Sequence, residues 1–230
     1  MELAVVYPVF NEREYLETAV ERTLEQDVEA SMRVVFVSDG STDGTQDEAD
    51  RLEEEYEEVT HLTYDERLGK GKAFEKAFFE LEADVYGYCD VDLSTDPREI
   101  PAAVDRIREG ADIVTGNRYL EGENTRRLKR GLPSHAFNLM LKTLFSTEIS
   151  DHQCGFKFLS SDVRPLLESV RSNHFFWDAE LLIRAQREGL SIRQLPVRWT
   201  EKDGSKVSLF RDSMYFMRRA FQLRIELWRE

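Results

Sequence analysis

Short apolar runs alternate with longer segments of helical spacing through the first half of the chain. Leu3-Ala-Val-Val-Tyr-Pro-Val-Phe10 is one such run, followed by Asn11-Glu12 and a helical pattern to about Val28. Arg33 to Ser38 is the next, ending in Asp39-Gly-Ser-Thr-Asp-Gly44; acidic helix follows to about Glu58, then a strand-like Val59 to Tyr64. The spacing predicts a helix from Lys72 to Leu81, a strand from Asp84 to Cys89, a helix from Pro97 to Glu109 and a strand from Ala111 to Thr115. Repetition of this kind predicts an α/β fold with a mostly parallel sheet covered on both faces. In such sheets ligands bind beyond the carboxyl ends of the strands. The polar stretches Pro8 to Glu12, Asp39 to Gly44 and Asp90 to Asp92 all fall there.

The later half is less regular. His135 to Thr147 is apolar with helical spacing, Phe175 to Glu188 reads as a helix beginning near Trp177, and Ser191 to Trp199 as a strand. From Leu209 a single amphipathic helix is expected. Its stripe is Phe210, Met214, Met217, Phe221, Ile225 and Trp228, flanked by Arg211, Arg218, Arg219, Arg224 and Arg229. The stripe is read as core packing, with contact to a membrane surface as the alternative.

The chain has 230 residues, enough for one domain with a sizeable core, and a net charge of −14 that argues against nucleic-acid binding. The charge is unevenly spread. Residues 1–115 hold 11 Lys and Arg against 31 Asp and Glu, a net of −20; residues 116–230 hold 20 against 14, a net of +6. A salt-adapted, halophilic surface accounts for the acidic front but not for the reversal of sign, which points to two different partners. Cys89 and Cys154 form no C-x-x-C pair, so neither zinc nor a disulfide framework is expected, and a reducing cytoplasm is the simplest compartment. Met1-Glu2-Leu3 leads straight into a strand-like run, so no signal peptide is expected.

Asp90-Val-Asp92 follows a strand and offers hard oxygen donors suited to Mg²⁺ or Mn²⁺ bridging a diphosphate. The competing reading is an ordinary turn in which Ser94 or Asp96 starts the helix at Pro97. Asp39 at the head of a Gly-rich turn is placed to accept hydrogen bonds from a base or ribose, or else the turn simply caps a helix. Arg67-Leu-Gly-Lys-Gly-Lys72 lacks the full phosphate-loop pattern, so a P-loop NTPase is disfavoured. Arg118 follows a strand and the small pair Gly116-Asn117, where it would face a phosphate. Arg126-Arg-Leu-Lys-Arg130 with Ser134 forms a basic cluster, either solvated or holding another.

These motifs, in this order, resemble the family 2 glycosyltransferases, nucleotide-sugar enzymes with a GT-A fold. The matching stretches are Val6-Tyr-Pro-Val-Phe-Asn-Glu12, Ser38-Asp-Gly-Ser-Thr-Asp-Gly44, Asp90-Val-Asp92 and Thr115-Gly-Asn-Arg-Tyr119. Asp151-His-Gln-Cys-Gly-Phe-Lys157, Trp177-Asp-Ala-Glu-Leu-Leu182 and Trp199-Thr-Glu-Lys-Asp-Gly-Ser-Lys206 are similar to the polyprenyl-phosphate sugar synthases, most of all the dolichyl-phosphate glucosyltransferases. The resemblance implies a nucleotide pocket of Pro8, Phe10, Glu12, Val37, Asp39, Asp90 and Val91, and a metal held by Asp90 and Asp92. It implies Asp92 and Arg118 at the reacting centre, and Arg130, Ser134 and Lys206 near a polyprenyl (dolichyl) phosphate. Residues 1–115 would be the nucleotide-binding half and 116–230 the acceptor- and membrane-facing half of a single domain at the cytoplasmic face of a membrane.

The activity implied is inverting transfer of glucose from UDP-glucose to a polyprenyl phosphate, with GDP-mannose as donor or a soluble acceptor as alternatives. Asp178 and Glu180 are candidate bases, although an ionised phosphate needs none. Ser38 stands where many relatives have an acid; Ser94 and Thr200 depart from the glutamine and arginine of the mannosyl branch. The rival classes are a nucleotidyltransferase, which would release pyrophosphate, and a non-catalytic nucleotide-sugar or lipid-binding module.

Overall fold

Alternation along the central strand decides which helix lies on which side of the sheet. In β1 (Glu2–Val9) the odd positions Leu3, Val5, Tyr7 and Val9 enter one core, and Ala4 and Val6 enter the other. The first core is closed by α1 (Leu16–Leu24), α2 (Thr45–Glu55) and α4 (Ile100–Arg108), the second by α3 (Lys70–Glu80), α6 (Arg164–Ser169) and α7 (Trp177–Arg187). Residues buried on both faces are what a covered parallel sheet requires. The computed structural model describes residues 1–120, 128–173, 176–200 and 209–229, with the side chains of 128–134 and 209–213 left aside.

The remaining strands are β2 (Ser31–Asp39), β3 (Val59–Tyr64), β4 (Val85–Cys89), β5 (Ile113–Asn117), β6 (Phe156–Ser160) and β7 (Ile192–Pro196). They form one seven-stranded sheet in the order β3-β2-β1-β4-β6-β5-β7. All pairs are parallel except those of β6, which runs antiparallel between β4 and β5. The sequence pattern did not assign β6, because Lys157 interrupts its apolar run. In the fold that lysine is fully buried, its ammonium bonded to the Cys154 carbonyl at 2.6 Å and the Asp178 carboxylate at 2.6 Å.

The helix expected after Glu12 is shorter than its pattern. A 3-10 turn, Arg13–Tyr15, precedes α1, which ends at Leu24. In the last element, α8 (Leu209–Arg229), the expected core packing of the named stripe is overturned from Met214 onward; the side chain of Phe210 lies outside the described set. Met214, Met217, Phe221, Ile225 and Trp228 are exposed, Trp228 at 79%. A second stripe, Phe216, Ala220, Leu223 and Leu227, does the packing, against Leu141 of α5 (Leu128–Phe145) and Phe176, Ala179 and Ile183 at α7. A helix apolar on two faces cannot bury both against one neighbour. Among the described residues, no helix is long and apolar enough to cross a membrane.

Candidate functional site

The carboxyl ends of β1, β2 and β4 gather the first group of residues. Pro8 pairs in register with Val37, two positions past the last β1 residue that pairs with β4, where its missing N–H breaks no bond to that strand. The next turn is stitched to the one after β2. Asn11, in the left-handed region at φ 54, accepts from the Thr42 amide at 2.8 Å, and the Glu12 amide donates to Thr45 Oγ1 at 3.0 Å. Asp39 lies 2% exposed beneath the loop leading into α3. Its Oδ1 accepts from Arg67 at 2.7 Å, and its Oδ2 accepts from the amides of Leu68 and Gly69 at 3.0 and 2.7 Å. The Arg67 guanidinium in turn sits 3.5 Å over the Phe10 ring. An aromatic ring, a guanidinium and a buried carboxylate therefore stand together at the carboxyl ends of β1 and β2.

The two acids after β4 are positioned by different means. The Asp90 amide donates to the Gly155 carbonyl at 3.1 Å, and a Cβ added to Gly155 would stand 1.8 Å from Asp90 Oδ2. Only glycine leaves room for that carboxylate. Asp92 Oδ1 accepts from the Ser94 amide at 2.9 Å across a turn that puts Leu93 at φ 52. Capping of the following helix falls to Asp96, whose carboxylate accepts from the Arg98 amide. The helix start expected of Asp96 in the competing reading is therefore present, and Asp90 and Asp92 stand before it rather than serving as the cap. Val91 between them is buried in the core, and Asp92 lines a cleft of about 660 Å³ with Tyr15, Ser94, Arg198 and Trp199.

Lys70, the first residue of α3, places its ammonium 2.5 Å from Asp90 Oδ1. Burial works against its charge, but Asp90, Glu12 and Asp92 outweigh it and hold the pKa above the ordinary lysine range. A group of carboxylates that already retains one cation has the charge and the hard oxygen donors for a divalent metal. Among the described residues no cluster of three or more His, Cys, Asp or Glu forms a closed cage. A two-acid site whose other ligands are diphosphate and water fits that arrangement.

The second group comes from β5, β6 and α7. Asp151, fully buried, takes the Arg118 guanidinium in a two-pronged pair at 2.7 and 2.7 Å and the Arg118 amide at 3.1 Å. Burial opposes ionisation of Asp151, yet Arg118 holds its carboxyl below the usual range. The guanidinium lies 5.4 Å from the centre of the Trp199 ring, which borders the cleft. Neighbouring His152 is pushed down to about 4 by burial and stays neutral. Asp178 is raised, chiefly by burial and against the pull of Lys157. Glu180 faces elsewhere: it accepts from Ser172, Arg184 and Arg219 and ties α8 to α7.

Of the residues expected at the site, Pro8, Phe10, Glu12, Val37, Asp39, Asp90, Val91 and Asp92 share the carboxyl edge of β1, β2 and β4, and Arg118 follows β5. Arg130 and Ser134 lie within α5, where side chains are outside the described set, and Lys206 lies outside the described residues. Lys70, Asp151, Gly155 and Lys157 were named only within longer stretches, and no role was assigned to them. One signal was legible for Lys70: Lys70 and Lys72 open α3, where the positive end of the helix dipole disfavours them unless acids stand close by.

The sequence model described as glycosyl transferase family 2 matches residues 4–165. Glycosyltransferase AglD of Haloferax volcanii is 40% identical over 219 residues, covering 92% of this chain and 35% of that protein. A dolichyl-phosphate beta-glucosyltransferase of Drosophila melanogaster is 29% identical over 229 residues, covering 91% of this chain and 70% of that one. The chain thus spans about a third of the length of AglD and about two thirds of the dolichyl-phosphate relatives. Among solved structures, glucosyl-3-phosphoglycerate synthase of Mycobacterium tuberculosis, in complex with Mn²⁺, UDP and glucosyl-3-phosphoglycerate, superposes with a TM-score of 0.69 at 19% identity, over 95% of this chain and 79% of that one. The mannosyltransferase PcManGT of Pyrobaculum calidifontis, in complex with GDP-Man and Mn²⁺, gives 0.64 at 18%, over 99% and 64%. At these identities the likeness is one of fold, the GT-A fold expected from the sequence.

Proposed function

The chain belongs to glycosyl transferase family 2, and from that premise we propose that it transfers glucose from UDP-glucose to a polyprenyl (dolichyl) monophosphate at a membrane surface. Such a transfer feeds glycan assembly of the kind that builds N-linked glycans. The observation that carries this reading is the pairing of Asp90 and Asp92 at the carboxyl end of β4 beside a cleft that also admits Trp199. The dolichyl-phosphate beta-glucosyltransferases among the relatives support the choice of acceptor.

A divalent metal, Mg²⁺ or Mn²⁺, held by Asp90 and Asp92, would offset charge on the departing diphosphate. Phe10, which carries the Arg67 guanidinium on its ring, and Asp39, which anchors that guanidinium, are the contacts assigned to the base and ribose. Pro8, Val37 and Val91 are assigned to the nucleotide side at the strand ends, with Glu12 near enough to act on the charge of Lys70. An oxygen of the acceptor phosphate attacks the anomeric carbon as the bond from that carbon to the β-phosphate oxygen breaks. UDP leaves, and the configuration inverts. A phosphate monoester is largely ionised at neutral pH, its second pKa being about 6, so no proton need be removed. Arg118, pre-oriented by Asp151, is the guanidinium assigned to the incoming phosphate, with Arg130, Ser134 and Lys206 as its further contacts.

The exposed face of α8 is the membrane contact in this reading. Its apolar row carries exposed Arg218, Arg224 and Arg229 at its margins, the composition of an interfacial helix facing anionic lipid. The two halves of the chain act as one domain, with donor and acceptor meeting where β4 and β6 run side by side.

The test is incubation of labelled UDP- and GDP-sugars with the protein, Mn²⁺ and vesicles containing polyprenyl phosphate, followed by organic extraction. Label in the organic phase from UDP-glucose, lost in Asp92→Asn, is the expected result. Label from GDP-mannose alone would replace the donor. Release of pyrophosphate from a nucleoside triphosphate, or donor binding with no transfer to lipid or soluble acceptors, would overturn the reading.

A further inference from the structure

Lys70 occupies the position a metal ion would contest. Its ammonium is 2.5 Å from Asp90 Oδ1, while Glu12 and Asp92 are near enough to act on its charge. The backbone beneath it is firmly held. Leu68 and Gly69 donate to buried Asp39, and Gly71 packs so tightly on Trp177 that a Cβ there would stand 2.1 Å from the indole Cγ. The side chain itself is a third exposed. Lys70 therefore has a fixed root and a free path, and only its four-carbon stem needs to move.

We propose that Lys70 is a built-in counter-ion that the divalent metal must displace, and that it then pairs with the donor diphosphate, so that metal and nucleotide bind cooperatively. This deepens the reading of Asp90 and Asp92 as metal-holding residues and rests on it. Without nucleotide, a metal entering at Asp90 breaks the Lys70–Asp90 pair and leaves an ammonium beside a dication. With a diphosphate present, the displaced ammonium gains a new anionic partner within reach of the same site. The metal alone should bind weakly, and the metal with UDP much more tightly. By linkage the same factor applies to UDP with and without metal. A lysine suits this exchange better than an arginine, because a compact ammonium on a flexible stem changes partners without losing a two-pronged geometry.

The experiment measures Mn²⁺ binding by electron paramagnetic resonance, with and without UDP, for the wild type, Lys70→Met and Asp92→Asn. For Lys70→Met the expected result is Mn²⁺ binding without nucleotide that is tighter by about tenfold, and a UDP-induced enhancement smaller by a similar factor, within the usual range of couplings. A gain of affinity cannot come from misfolding. Lys70→Arg should retain part of the coupling. Unchanged or weaker Mn²⁺ binding in Lys70→Met, with wild-type binding intact and lost in Asp92→Asn, would overturn the exchange while leaving the metal site standing. No Mn²⁺ binding by the wild type even with UDP would overturn both.

Discussion

Gly155 lies directly against the Asp90 carboxylate: a methyl group at its Cα would come within 1.8 Å of Oδ2, and its carbonyl accepts from the Asp90 amide. Gly155→Ala should therefore turn Asp90 away without unfolding the chain, because the atom it strikes is the far end of a flexible side chain. Metal affinity is expected to fall by about 10- to 100-fold, the usual effect of disturbing a residue that orients a ligand. Mn²⁺ titration beside a thermal melt checks this, and a variant that binds normally would show that Asp90 has another workable rotamer.

Arg118 and Asp151 form an enclosed pair beside Trp199, at the border of the cleft. Asp151→Asn removes the buried charge from its pair with Arg118, whose side chain is 19% exposed. A loss of about 3 kcal/mol is expected, at the low end for a broken buried pair because of that exposure. The pH dependence has a definite sign. The folded-state pKa of Asp151 is depressed, so its contribution is present above the unfolded value of about 3.9 and disappears as pH falls through the folded value. Urea unfolding across an acid series should show a flatter acid limb in Asp151→Asn than in the wild type.

Lys157 and Asp178 are coupled inside the second core, and each is costly without the other. Lys157→Met and Asp178→Leu should each destabilise the protein. The double variant should lose less than the sum of the two, by about 1–3 kcal/mol of interaction energy. Equilibrium denaturation of the four proteins closes the cycle. Additive losses would show that the two groups do not depend on each other.

The two apolar stripes of α8 should respond in opposite ways. Leu223→Ala removes a fully buried side chain and is expected to cost about 2–5 kcal/mol. Phe221→Ala and Trp228→Ala remove exposed ones and should shift stability by no more than about 0.5 kcal/mol, while lowering flotation with anionic vesicles. Denaturation midpoints and vesicle flotation separate the two effects. Equal flotation by all three variants would count against the membrane face.

Much of the sheet was readable because β1, β2 and β4 are short, apolar and followed by turn residues. β6 was not, since a lysine in mid-strand looks like a loop until its partner is known, and Asp178 lies 21 residues further on. For α8, counting every third or fourth apolar residue found a stripe but could not tell which of two stripes faces inward; the position of α5 and α7 decides that. At the site, Asp90, Asp92 and Arg118 stood out by their places after strands. Lys70 and Asp151 lay within named stretches but received no role, because their meaning lies in partners 20 and 33 residues distant. Gly155 is hidden for a similar reason: nothing local shows that a carboxylate occupies the space a side chain would take.

The reversed course of β6 ties the fate of the two halves together. A fragment cut at residue 120 would keep Asp90 and Asp92 but not Gly155, against which the Asp90 carboxylate rests. It would also leave β4 without its outer neighbour and β5 without either flanking strand, presenting bare amide edges prone to self-association. Among the described residues the strand that completes β4 thus comes from the second half of the chain. Redesign is accordingly a matter of altering side chains around an intact weave rather than lifting out the first half.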